Sequence, residues 1–267
     1  MKGRVAVITG AAGGIGGEIA ALFHSKDMRL VLADIDKKKL EIAARAYGKD
    51  ALAVRCDITK PAEVKNLFRQ AVKRFGGVDV LVNNAGIIVP NLFENCTHRE
   101  VDRQVGVNLM GPVNCIMEAV PLLKARGGGS IVTISSLAGI VPETYSSIYT
   151  ATKFALRGLG LTLHIELKRH NIHVATVFPD SVDTPMLKYE AEHGGSPLTF
   201  RAPPQSPAAV AEAVYRAIVR KKPEVCVPAL DGFFSKLMMA FPRFVAWLWP
   251  YFERQGSKKK EAYRARG

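Results

Sequence analysis

Val5-Ala6-Val7-Ile8-Thr9-Gly10-Ala11-Ala12-Gly13-Gly14-Ile15-Gly16 is the stretch that decides the fold. Its first five residues are apolar or β-branched without a break, which suits a strand buried on both faces. Glycines follow, and Glu18–Ser25 then carries a helical pattern. A strand that turns through glycines into a helix is the context a phosphate-binding loop requires. Gly10 permits the tight turn, Gly14 lets the backbone approach a pyrophosphate, and Gly16 allows close helix–strand packing. Ile15, at the helix start, belongs to the same loop. Free N–H groups and the positive end of the helix dipole complete an anion site there.

Working outward, strand-like runs stand at Arg29–Ala33, Ala51–Arg55, Val80–Val82, Ser130–Ser135, His173–Phe178 and Glu224–Val227. Helical patterns such as Lys37–Tyr47 and Val64–Phe75 fill the gaps. Alternating β and α with strands apolar on both faces predicts an α/β protein with a seven-stranded parallel sheet, helices on both faces. Right-handed crossovers make that sheet doubly wound, with ligands beyond the carboxyl ends of its strands. No internal repeat or low-complexity linker interrupts residues 1–230, which read as one domain, followed by an aromatic and basic extension over 231–267. Ser181–Gln205 is far longer than the roughly 2–6 residues of an ordinary αβ connection, so it reads as a functional lid or a disordered loop. Ser206-Pro207 then resembles an N-cap and first-turn proline opening a helix over Ala208–Arg220.

Composition narrows the class. Of 267 residues, 48% are hydrophobic, enough for a sizeable core and against disorder. Cys56, Cys96, Cys115 and Cys226 fall in no paired spacing, and the six histidines form no ligand-spaced cluster with them. Reduced thiols, no metal and a cytoplasmic location are therefore expected. Val5 begins a strand too early for a cleavable leader, and no run of about 18 uncharged apolar residues suggests a spanning helix. The net charge of +13 is mostly scattered along helix faces such as Lys37, Lys38 and Lys39. That is a solvated surface, and without a base-reading motif no nucleic-acid partner is expected.

Two further features carry chemistry. Asp34 closes the second strand 18 residues after Gly16. A carboxylate there accepts hydrogen bonds from an adenosine ribose and repels a 2′-phosphate, and the glycine loop holds no Arg or Lys to neutralise one. The expected cofactor is NAD rather than NADP; Asp36 fits the cap of the next helix better than Asp34 does. Tyr149 and Lys153, in Tyr149-Thr150-Ala151-Thr152-Lys153, share one face of a helix with Cβ atoms about 5–6 Å apart. A fixed ammonium beside a phenol favours the phenolate, which a general acid or base needs.

The glycine loop, Asn83-Asn84-Ala85-Gly86, Ser136 thirteen residues before Tyr149, and Tyr-x-x-x-Lys occur in that order. Together they resemble the short-chain dehydrogenase/reductase family over about residues 3–228. The resemblance implies a single-domain Rossmann fold with Tyr149 as catalytic acid/base. It implies that Lys153 binds the nicotinamide ribose and lowers the Tyr149 pKa. Ser136 would hold the substrate oxygen, while Ser135 would point the other way in a strand. Asn108, in Val107-Asn108-Leu109, would support a water that relays protons through the lysine. Asp57 and Ile58 would flank adenine, and Asn83, Asn84, Ala85 and Gly86 would form the turn beside the cofactor ribose. Pro179, Val182 and Thr184 match the segment that meets the carboxamide. Asp180 stands where the family usually has glycine, a change an aspartate's tolerance of unusual backbone angles accommodates. Homodimers or homotetramers would pair through Asn95–Leu123 and Ser147–Arg169, where Ala151, Ala155 and Gly158 permit close approach.

The resulting expectation is an NAD-dependent enzyme moving a hydride between nicotinamide and a secondary alcohol or ketone. A lipophilic substrate follows from Ile88, Val89, Leu137, Val141, Tyr145, Met186 and Leu187 as pocket residues. The alternative is a non-catalytic nucleotide sensor or scaffold on the same fold, which would not need the set Asn108, Ser136, Tyr149 and Lys153. From Phe233 to Phe252, eight of twenty residues are aromatic, with Phe233, Leu237, Phe241, Phe244, Leu248 and Tyr251 at helical spacing. Pro242 divides this run into two short helices. Lys258, Lys259, Lys260, Arg264 and Arg266 follow. Such a tail suits peripheral membrane contact through 233–267, or closure of the pocket, or a subunit contact.

Overall fold

The computed structural model describes residues 1–265, so Arg266, at the end of the basic cluster, lies outside the described residues. Seven parallel strands form one sheet in the order β3-β2-β1-β4-β5-β6-β7. They are β1 Val5–Thr9, β2 Arg29–Asp34, β3 Ala51–Arg55, β4 Val80–Asn83, β5 Gly129–Ile134, β6 Ile172–Pro179 and β7 Glu224–Val227. Each expected strand is present, with no end moved by more than one residue. Every residue of β1, β4 and β6 is buried, which explains their unbroken apolar runs. The order reverses between β1 and β4, and a ligand crevice opens at such a switch point.

Helices cover both faces. On one side, α1 (Gly14–Ser25) packs against α8 (Pro207–Val219), with Leu40 of α2 (Lys37–Arg45) in the same core. On the other lie α3 (Pro61–Phe75), α5 (Gly111–Ala125) and α6 (Ser147–Leu167). Local chemistry sets their ends. Asp36 accepts a hydrogen bond from Lys39 N at 3.1 Å and caps α2. Thr97 and Glu100 form a reciprocal capping box on α4 (His98–Val105), and Ser206 caps α8 ahead of Pro207. Helix α4, a π-helical turn over Gly106–Met110 and α5 run on without a break. That stretch is long and apolar enough to cross a membrane. Cys115, Ala119 and Leu123 are nonetheless buried in the core, so one face of this stretch is packed within the domain.

Two departures concern the site. Ser181–Gln205 is folded: it contains α7 (Pro185–Glu192) and a 3-10 turn over Pro197–Phe200. Its base is pinched by Gln205 N donating to Ser181 O at 2.8 Å and Asp183 N donating to Gln205 O at 2.9 Å. Pro242 does divide the tail, into α9 (Ala229–Met238) and α10 (Pro242–Arg264). Helix α10 is not short, however: it runs for 23 residues through Pro250. An interior proline costs about 3 kcal/mol, and packing on the lid offsets it. Tyr263 joins Leu187, Ala191 and Phe200 in one apolar cluster, and Lys260 Nζ donates to Gly195 O.

Candidate active site

A cavity of about 500 Å³ lies beyond the carboxyl ends of the strands. The glycine loop reaches it through Ile15, the turn after β4 through Asn84 and Gly86, and the end of β5 through Ser136. Helix α6 contributes Tyr149 and Lys153, and the segment after β6 contributes Pro179, Val182 and Thr184. Residues separated by more than a hundred positions thus converge because parallel strands end on one side of the sheet.

The glycine loop is shaped by contact. Gly10 and Gly14 have φ of 65° and 56°, the left-handed region that favours glycine. A Cβ on Gly16 would fall 2.1 Å from Gly10 O, and one on Gly10 would fall 2.8 Å from Ala85 Cα. Asn84 Nδ2 donates to Thr9 O and Gly10 O, both at 3.0 Å. Thr9 Oγ1 accepts from Asn84 N at 3.1 Å and Ala85 N at 3.2 Å. These bonds lock the two turns to each other. Asn83 points instead into the sheet, where Nδ2 donates to Thr133 Oγ1 at 3.5 Å, and it does not reach the cavity.

Asp34 joins the same frame. Its Oδ2 accepts from Ala12 N at 3.1 Å and its Oδ1 from Asp36 N at 3.0 Å. Asp57 and Ile58 lie after β3, outside the cavity lining. Asp57 Oδ1 accepts from Thr59 N at 3.0 Å and Thr59 Oγ1 at 2.7 Å. Ile58 is buried against Gly111, where a Cβ would meet Ile58 Cδ1 at 2.4 Å.

Asn108 sits in the π-helical turn, a distortion frequent at functional sites. Its Oδ1 accepts from Ile87 N and its Nδ2 donates to Ile87 O, both at 2.9 Å. The side chain therefore clamps the turn that carries Gly86. Ser135 and Ser136, just past the end of β5, turn to different partners. Ser135 Oγ donates to Lys153 O at 3.0 Å, whereas Ser136 Oγ accepts from Ala138 N at 3.1 Å and neighbours Tyr149.

Lys153 is buried, and Nζ donates to Ile134 O at 3.0 Å. Nζ lies 5.3 Å from the Tyr149 ring centroid. Burial pushes the ammonium down to about 8. Burial also pushes the Tyr149 phenol upward, helped by the charges of Glu190 and Glu143 and opposed by the Ser136 hydroxyl. That differs from the downward shift expected from Lys153. Desolvation is the leading cause, so the phenol stays protonated.

The pocket wall is only partly the expected one. Leu137, Val141, Met186 and Leu187 line the cavity, whereas Ile88, Val89 and Tyr145 do not. Ile88 is buried behind Tyr149 and Ala138, and Tyr145 is 38% exposed. Phe234 and Met238 of α9 and Trp249 and Phe252 of α10 supply the remaining apolar wall. No periodicity in the tail distinguished those four from their neighbours.

A polar cluster on the cavity wall was also unforeseen. Thr199 Oγ1 donates to Glu143 Oε1 at 2.5 Å and stands 3.4 Å from Glu190 Oε2. Burial raises both carboxyls, helped at Glu190 by the charge of Glu143 and at Glu143 by that of Asp180. Asp180 also lines the cavity, pushed up to about 6 by burial. Positive φ at non-glycine described residues is confined to Asp27, Tyr145, Asn171 and Lys221, so Asp180 needs no special backbone tolerance.

The family described as short chain dehydrogenase matches residues 4–194. An uncharacterized oxidoreductase of Thermotoga maritima is 37% identical over 188 residues, covering 69% of this chain and 73% of its own. Momilactone A synthase of Oryza sativa subsp. japonica is 39% identical over 191 residues, covering 70% of each chain. Among solved structures, 3-ketoacyl-(acyl-carrier-protein) reductase from Brucella melitensis complexed with NADH superposes with a TM-score of 0.79. It is 31% identical and covers 85% of this chain and 97% of its own. The matched residues end inside the lid, so α8, α9 and α10 lie beyond them. With its glycine loop, its sheet order and this match over most of its length, the chain belongs to the short-chain dehydrogenase/reductase family of oxidoreductases.

Proposed function

We propose that this protein moves a hydride between a nicotinamide cofactor, NAD in preference to NADP, and a secondary alcohol or ketone of lipophilic character. The observation that carries the reading is the meeting of Ser136, Tyr149 and Lys153 in the cavity that also holds Ile15 and Gly86. The residues fit a dinucleotide. Gly10, Gly14 and Gly16 leave a backbone cradle that side chains would fill, and Asp34, fixed to that loop, would accept from a ribose diol. Solved relatives from Brucella melitensis and Burkholderia phymatum carry NADH and NAD, which supports the same cofactor class.

Bound nicotinamide supplies the hydride chemistry. The chain's own residues supply position and proton. Ser136 hydroxyl holds the reacting oxygen, and Tyr149 donates a proton to it in ketone reduction or takes one in alcohol oxidation. The raised Tyr149 pKa keeps the phenol protonated, as an acid requires. Lys153 orients the ribose and supports the phenolate in the oxidative direction, and Asn108 keeps the Gly86 turn in place. Pro179, Val182 and Thr184 would hold the carboxamide end of a bound nicotinamide, Ala85 would stand beside the cofactor ribose, and Asp57 with Ile58 would flank adenine. A non-catalytic sensor would have no use for the convergence of Ser136, Tyr149 and Lys153.

Subunit pairing through α5 and α6 fits the exposure of Met117 and Ile165, 68% and 75%, beside the small residues Ala151 and Gly158. The test of the catalytic reading is Tyr149→Phe. Turnover of a secondary alcohol with NAD, followed by absorbance of reduced nicotinamide, falls at least about 10²-fold. Unchanged turnover overturns the assignment.

A further inference from the structure

Helices α9 and α10 have two unlike faces. The inner face carries Phe234, Met238, Trp249 and Phe252 into the cavity. The outer face presents Phe233, Leu237, Phe241, Phe244, Trp247 and Tyr251, each more than half exposed, with Trp247 at 72%. Aromatic and branched apolar side chains normally avoid water in such number, and a contiguous stripe of them marks an interaction surface. Arg243, Arg254, Lys258 and Lys259 are exposed along the same helix. From Ala229 to Ala265 seven lysines and arginines stand against three carboxylates.

We propose that this outer face seats the protein on an anionic lipid bilayer, so that the cavity wall formed by the same two helices lies at the membrane surface. Aromatic rings settle at headgroup depth, and cations beside them meet anionic lipid. Charge selects this occupant over a second copy of the chain. A two-fold contact would bring the same surface of both copies together, setting the Arg243 and Arg254 rows against each other. The helices lie on the surface and do not span it, because α10 passes from its aromatic half to its basic half within 23 residues. The inference deepens the proposed lipophilic substrate: an apolar alcohol or ketone dissolved in the bilayer would meet Trp249 and Phe252 directly.

The experiment is flotation of the full-length protein with vesicles of phosphatidylcholine mixed with phosphatidylglycerol, and with phosphatidylcholine alone. Deleting the two helices would strip the cavity wall, so outer-face substitutions are used: Phe244→Ser with Trp247→Ser, and Arg254→Glu with Lys258→Glu. Wild type floats with the anionic vesicles, and each pair lowers the partition coefficient at least about tenfold, since each lysine or arginine near an anionic surface counts about 1 kcal/mol and each buried aromatic ring about 1.5–3 kcal/mol. Turnover of a water-soluble secondary alcohol is unchanged by either pair. Wild type that stays with neither vesicle, or binding that neither pair reduces, overturns the proposal. So does light scattering that shows a wild-type oligomer dispersed by Phe244→Ser with Trp247→Ser, which assigns the stripe to a subunit contact. Flotation needs no substrate, so its failure leaves hydride transfer standing, and lost turnover with intact flotation sinks only the catalytic reading.

Discussion

Gly256 of α10 lies against Pro197 of the lid so closely that a Cβ on Gly256 would stand 2.0 Å from the Pro197 carbonyl oxygen. The tail and the lid are therefore one packed unit. Lys259 Nζ donating to Arg201 O at 2.5 Å and Thr144 donating to Glu253 extend the same seam. A segment that lies far downstream in sequence thus sets the position of the cavity wall.

Gly256→Ala tests that seam. In an exposed helix the change would gain about 1 kcal/mol from propensity. Here overpacking against Pro197 costs about 1–3 kcal/mol, so the sign reverses. The variant unfolds at lower denaturant concentration than wild type, and KM for the alcohol rises while affinity for NAD holds.

Asp34→Ala tests the ribose assignment. Removing the carboxylate removes repulsion of a 2′-phosphate and a hydrogen-bond acceptor for the diol. The ratio of kcat/KM for NADP over NAD rises by about tenfold or more, the equivalent of about 1.4 kcal/mol. Steady-state kinetics with both cofactors reads it.

Glu190→Gln tests the buried carboxyl cluster. Burial and Glu143 raise the Glu190 pKa in the folded state above its ordinary 4.5. The folded chain therefore holds a proton that the unfolded chain has released, and stability from this group falls as pH rises above 4.5. Melting temperatures measured at pH 5 and at pH 8 show the variant gaining on wild type at the higher pH.

Lys153→Met has the opposite sign. Burial lowers the folded Lys153 pKa from 10.5 to about 8, so the unfolded state binds the extra proton between those values. The penalty is complete below about 8 and is relieved as pH climbs towards 10.5. Thermal melts across that window show wild type gaining on Lys153→Met, while turnover of the variant is low throughout.

Much of this was legible beforehand for a physical reason. Buried parallel strands need unbroken apolar runs, and a backbone that approaches another backbone needs glycine, so β1, Gly10 and Gly16 announce themselves. The helical spacing of Tyr149 and Lys153 is equally local. Asp36 as the cap of α2 followed from short-range hydrogen bonding alone. The helical fold of Ser181–Gln205 was hidden, because Pro197 and Gly194-Gly195 read as loop chemistry while packing against α10 holds the segment in helical turns.

Local patterning in the chain was thus enough for the sheet and for the shared helix face of Tyr149 and Lys153, since each depends on neighbours a few residues apart or on strand alternation, whereas Ser136 joined them through the family resemblance. Long-range packing alone settled the substrate side. Glu143, Glu190 and Thr199 meet through no shared element, and Trp249 lines the cavity while Trp247, two residues away, faces solvent. Which side of α10 is inside depends on what the helix packs against, and that partner is the lid around Pro197, brought there only by the folded chain.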